Sequence, residues 1–100
     1  MDSARRVLLG RAAEAAGAGW ANQRIAELQA ERRTIQGGWP GTLREARAFL
    51  NNTLPRSLAA EAVSPPTREE LEQAVRQAYA VARDTWRMHS QPDPEEAAAR

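Results

Sequence analysis

Apolar residues recur along most of this chain at the three-and-four spacing of a helix that buries one face. In the first segment Ile25, Leu28, Arg32 and Ile35 follow steps of three, four and three. The pattern predicts a helix over about 3–36, with Ser3 as its cap. Its first half is softer. Residues 12–18 read AAEAAGA, and Gly17 and Gly19 each cost about 1 kcal/mol relative to Ala in a helix interior. One long helix with a kink near Gly17–Gly19 is the favoured reading, the glycines giving another helix room to approach. The competing reading sets residues 1–18 apart as a short helix or mobile arm.

Gly37-Gly38-Trp39-Pro40-Gly41-Thr42 is the clearest punctuation. Glycine past a helix end is a common stop, and proline forbids continuation. Thr42 with Glu45 makes a capping box for a second helix. Leu43, Ala46 and Leu50 share a face of it, and Phe49 flanks them. The expected span is 42–62, broken near Pro55, because proline lacks a backbone donor and disfavours helical geometry at Leu54. A continuous helix kinked at Pro55 is the alternative. After the rigid Ser64-Pro65-Pro66, Thr67 and Glu70 form a second capping box, and a last helix is expected over 67–89. Its stripe is Leu71, Val75, Ala78, Ala82 and Thr85. Residues 91–100 read as a disordered tail. No alternating strand pattern and no repeat interrupts this series. The fold class is therefore all-α, a small helical bundle of three main helices forming a single domain over 1–90.

Composition adds one qualification. Of the 42 apolar residues among 100, 21 are Ala. Large apolar side chains supply roughly 1.5–3 kcal/mol each on burial, and Ala far less. So thin a core suggests completion by a partner or a second copy. The charge, fourteen Arg against thirteen acids with no Lys, is +1 and gives little direction. The Ala, Gly, Pro and Arg bias points to a GC-rich, bacterial coding sequence. No Cys is present, which excludes disulfides and thiolate metal sites. The first residues lack the apolar run of a signal peptide, and no stretch approaches a membrane span. The expected location is cytoplasmic, with no membrane partner.

Catalytic chemistry finds little support. His89, the one histidine, lies beside Ser90 at a helix end, without the acid and oxyanion donors a triad needs. Glu69, Glu70 and Glu72 suit a helix start. Glu27 and Glu31 lie one turn apart but have no His to complete a bundle metal site. Gly37, Gly38 and Gly41 lack the strand and Lys of a phosphate loop. No catalytic residue, metal site or cofactor is expected.

Two binding readings remain. The first is a non-enzymatic protein-interaction module (an adaptor, inhibitor or assembly subunit) that binds a protein partner or itself. Its contact residues are expected on helix 1, at Ala12, Ala16, Trp20, Ile25 and Leu28, together with Trp39. Large aromatics are uncommon in glycine loops, and Trp is enriched at interface hot spots. The competing expectation for Trp39 is a plug at the bundle's end, against Phe49 or Tyr79. The alternative function is a small nucleic-acid-binding regulator with a helix-turn-helix-like arrangement, using Arg32, Arg33, Arg44 and Arg47. From Arg32 to Pro66 five Arg face two Glu, a local +3. The acidic first turn of the last helix opposes phosphate approach.

Overall fold

The structure, a computed structural model, describes residues 3–90. Three helices form an all-α bundle: α1 (Ser3–Ala30), α2 (Leu43–Ala60) and α3 (Arg68–His89). The expected tail, 91–100, lies outside the described residues.

Both capping boxes form. The Thr42 hydroxyl accepts from the Glu45 N–H at 3.1 Å, and Glu45 accepts from the Thr42 N–H at 3.1 Å. Thr67 and Glu70 repeat the exchange at 3.1 and 2.8 Å. Each reciprocal pair satisfies donors that a helix start leaves orphaned.

The helix ends differ from expectation. α1 stops at Ala30, six residues before Gln36. Arg32 takes a left-handed φ of 57°. The Arg33 N–H donates to the Leu28 carbonyl at 2.8 Å, and the Arg32 N–H to Gln29 at 3.0 Å. That pair of bonds is a Schellman stop. α2 ends the same way, with Ala62 at φ 56° and Val63 and Ala62 donating to Leu58 and Ala59. Neither stop carries the glycine that usually marks one. Gly37, read as the stop of the first helix, lies in the following loop.

No break occurs at Pro55, because α2 is continuous through it. Proline inside a helix costs about 3 kcal/mol. Against that, α2 buries Ala46, Leu50, Leu54 and Leu58, one per turn, and each Leu contributes roughly 2 kcal/mol. Side chains also bond back to carbonyls near the proline: Thr53 Oγ1 to Phe49 at 3.0 Å and Ser57 Oγ to Thr53 at 3.1 Å.

α1 and α3 run in the same direction. Arg5 meets Glu70, the Gln77 amide donates to the Gly10 carbonyl at 3.2 Å, and Ile25 and Leu28 cluster with Trp86. α1 is one helix through Gly17 and Gly19. A Cβ on Gly17 would overlap the Ala78 carbonyl oxygen and lie 2.9 Å from its carbon, whereas nothing lies near Gly19. Ala13, Gly17 and Ala21 on α1 and Ala74, Ala78 and Ala82 on α3 are buried rows at four-residue spacing. Small residues in both rows let the two backbones close together. The alanine that made the core look thin therefore serves contact within the chain.

Beside this seam the core has two parts. In the first, Leu9, Leu50, Leu54, Leu58 and Val75 pack among the three helices. In the second, Ile25, Leu28 and Trp86 are covered by Ile35 and Trp39 from the loop between α1 and α2. Among the described residues no helix is long and apolar enough to cross a membrane.

Candidate interaction surface

Trp39 sits in the second core against Trp20 and Trp86. The ring centroids lie 4.8 and 5.5 Å away, both in edge-to-face geometry, the arrangement that aromatic quadrupoles favour. The neighbours are thus other tryptophans, not Phe49 or Tyr79; Phe49 is exposed. The Trp86 indole N–H donates to the Gly37 carbonyl at 2.9 Å, tying the loop down. Gly41 is required here, since a Cβ would come within 2.6 Å of Trp20 Cζ2. The Trp39 indole N–H is buried without a partner among the described residues.

The face expected to meet a partner is covered by the chain itself. Ile25 and Leu28 are buried with Trp86 and Ile35. Ala12, Ala16 and Trp20 pack half-buried against the first core. Of the periodic set Ile25, Leu28, Arg32 and Ile35, the first two lie on α1 and are buried, Ile35 is buried from the loop after it, and Arg32 is exposed.

The four arginines of the alternative fall on two elements. Arg32 and Arg33 are exposed on the closing turn of α1, with Arg33 3.4 Å from Glu31. Arg44 is exposed in the first turn of α2. Arg47, also on α2, forks onto Glu72 of α3 through two 2.8 Å bonds. That contact raises the Arg47 pKa and lowers that of Glu72. A helix-turn-helix joins its helices by three or four residues. Here residues 61–67 separate α2 from α3, and α3 lies beside α1.

The starts of α1 and α3 are joined by a contact that sequence reasoning missed. All five N–H donors of Arg5 are used. Nε and Nη2 hold the two Glu70 oxygens at 2.8 Å each, Nη2 also reaches the Pro65 carbonyl at 2.9 Å, and Nη1 binds the Ser64 carbonyl at 3.1 Å and its hydroxyl at 2.9 Å. The guanidinium and the Thr67 backbone N–H lower the Glu70 pKa to about 2. By sequence Glu70 is a capping residue alone, and nothing local links it to a residue 65 positions earlier.

Beside this clamp an open cleft runs between the start of α1 and the α2–α3 connector. Its apolar lining is Ala4, Val7, Leu8, Ala62 and Val63, with Arg11 and Glu61 also on it. Val7 is 53% exposed. The backbone turn at Ala62 and the Arg5 contacts fix its walls. Sequence carried no sign of it beyond the apolar Val7-Leu8-Leu9 run.

His89 is exposed in the last turn of α3, its Nδ1 3.0 Å from the Thr85 carbonyl oxygen. Among the described residues no three His, Asp or Glu side chains gather as a metal site would require. No family model, no curated protein and no solved structure matches the chain.

Proposed function

We propose that the chain is a non-enzymatic protein-interaction module, an adaptor, inhibitor or assembly subunit, and that it docks its partner in the cleft at the start of α1. The observation that carries this reading is Val7. A β-branched apolar side chain stands 53% exposed among other apolar residues, with charged groups near it. An apolar centre with a polar rim is the usual anatomy of a protein interface. The Arg5 clamp fixes the cleft walls in advance, so binding loses little conformational entropy.

This placement revises the expected contact set. Ala12, Ala16 and Trp20 pack against the first core, and Ile25 and Leu28 lie in the second with Trp39 over them. The partner meets Val7, Leu8 and Val63 instead.

The test compares wild type with Val7→Glu in affinity capture from the native host, with and without nuclease. The expected result is a protein retained stoichiometrically after nuclease and lost with Val7→Glu, while the helical signal and melting temperature stay unchanged. Equal retention by both forms removes the cleft from the reading. Loss of all bound protein after nuclease removes direct protein binding. Light scattering across a range of concentrations identifies the case in which the partner is a second copy.

A further inference from the structure

The chain carries a net charge of only +1, but that charge is unevenly placed. Arg76, Arg83 and Arg87 are all exposed on α3. Their spacings of seven and four put them on one stripe, opposite the buried Ala74–Ala78–Ala82 row. None of the three takes part in an ion pair among the described residues. On the neighbouring flank of α2, Arg47 reaches Glu72 at 2.8 Å, and Arg44 lies one turn earlier. The charges of Arg76 and Arg68 also act on Glu72. This α2–α3 face therefore holds Arg44, Arg47, Arg68, Arg76, Arg83 and Arg87 against Glu69, Glu72 and Asp84, an excess of +3. Asp84 lies on its edge, three residues before Arg87.

In sequence, the acids at the start of α3 oppose an anionic partner. The fold neutralises two of them. Glu70 is held by Arg5 on the side of α1, and Glu72 is forked by Arg47. Among the described residues two acids stay outside an ion pair here: Glu69, at the far end of the stripe from Arg83 and Arg87, and Asp84 on its edge.

The face is also poor in exposed apolar residues. Val7, Leu43, Phe49 and Met88 are the exposed large ones among the described residues. Val7 is on α1, Phe49 and Met88 fall on other flanks of their helices, and Leu43, one turn before Arg47, is the one exposed large apolar residue bordering the face. An acidic protein partner would need an apolar centre to its contact. Nucleic acids place half to two-thirds of their hydrogen bonds at phosphate and sugar, and Arg binds phosphate through a planar fork.

We infer that the α2–α3 face docks the phosphate backbone of a nucleic acid duplex, with Arg76, Arg83 and Arg87 as the principal contacts and Arg44 extending them. From Arg76 to Arg87 the stripe spans about 16 Å at a 1.5 Å rise per residue. Over that length a duplex presents roughly ten phosphates at one charge per 1.7 Å. The contacts read no bases, so binding is independent of sequence. The site is separate from the Val7 cleft, and neither depends on the other.

The experiment measures fluorescence anisotropy of a labelled DNA duplex with the full chain, from about 25 mM to about 200 mM salt. Three phosphate contacts give a slope of about −3 in log affinity against log salt. Arg83→Ala with Arg87→Ala is expected to weaken binding at least about tenfold at low salt and to flatten the slope by about 2. Arg24→Ala with Arg56→Ala removes the same charge from other faces and is expected to change affinity less than about twofold. All four residues are exposed, so circular dichroism and melting should match wild type in both doubles. Absence of wild-type binding at low salt overturns the proposal. So do equal losses in the two doubles, or competition by poly-glutamate as effective as competition by unlabelled duplex.

Discussion

At one end of the bundle three helices enclose Leu9, Leu50, Leu54, Leu58 and Val75; at the other, two helices and a loop enclose Ile25, Leu28, Ile35, Trp39 and Trp86. The first core is aliphatic and built on regular four-residue spacing. The second is aromatic and depends on a segment without helical periodicity. All three tryptophans of the chain lie in or against it, and the Trp86–Gly37 bond ties its loop to α3. The same problem, covering the apolar face of α1, is solved once by a helix and once by a strap.

The largest effects should separate the two cores. Leu54→Ala removes a fully buried side chain from the aliphatic end and is expected to cost about 3–5 kcal/mol in denaturant unfolding. Trp39→Ala removes a larger ring but also an orphaned buried N–H, itself a cost of about 1–3 kcal/mol. Its expected net loss is smaller, about 2–3 kcal/mol. Trp39→Phe keeps a ring against Trp20 and Trp86 without the donor and should cost less than about 1 kcal/mol. A Trp39→Ala loss as large as that of Leu54→Ala would mean the strap is packed as tightly as a helix. Coincident fluorescence and circular dichroism transitions would show both ends unfolding in one step.

What could be read from sequence depended on the distance over which each feature is decided. The capping boxes are settled within four residues, and both were legible. The leucine row of α2 is partly legible, but the proline penalty is local and the burial that outweighs it is not. The helix stops were missed because Arg32 and Ala62 adopt a conformation normally marked by glycine. Trp39 stood out in its loop, but its neighbours come from α1 and α3. The covering of the α1 face, the Arg5–Glu70 clamp and the arginine stripe all arise from the order of packing, which no local pattern encodes.

The clamp belongs to the aliphatic end and should give the next largest effect. Arg5→Ala is expected to cost on the order of 2 kcal/mol at neutral pH, since it strips a largely buried carboxylate of its charged partner. The pH dependence has a definite sign. Glu70 is lowered to about 2 in the folded chain, below its unfolded value of about 4.3. Its stabilising contribution is therefore complete above that unfolded value and is lost as pH falls toward 2. Wild type should lose stability across this window, and Arg5→Ala should show a shallower slope. Parallel slopes in the two proteins would mean another carboxylate carries the acid sensitivity. Arg5→Lys should not restore wild-type stability, because an ammonium cannot reproduce five donors in a fork.

Pro55→Ala tests whether helix regularity limits the aliphatic end. The helix already runs through this position, so alanine restores a donor without changing the path of the chain. Of the roughly 3 kcal/mol that an interior proline costs, some is offset because proline also restricts the unfolded chain, by about 0.4–1 kcal/mol. The expected gain is about 1–2 kcal/mol, read as a higher denaturant midpoint with an unchanged slope. A loss would show that the side-chain bonds of Thr53 and Ser57 depend on the proline geometry.

The smallest effects compare the two ends through the same local motif. Ala62 closes α2 at the aliphatic end, and Arg32 closes α1 where the aromatic strap begins; their φ values are 56° and 57°. A non-glycine residue in this region costs about 1 kcal/mol, less the extra entropy that glycine loses on folding. Ala62→Gly and Arg32→Gly should each stabilise by about 0.5 kcal/mol if the bundle unfolds as one unit. The two stops differ at the residue after the left-handed turn. Val63 packs against the first core, whereas Arg33 is exposed, so only the α2 stop has the apolar contact that usually completes the motif. A gain from Ala62→Gly with none from Arg32→Gly in the global transition would place the strap in a separate, weaker unit. Hydrogen exchange would then locate that unit: the Arg33 amide, bonded to the Leu28 carbonyl, would exchange faster than the matching Val63 amide.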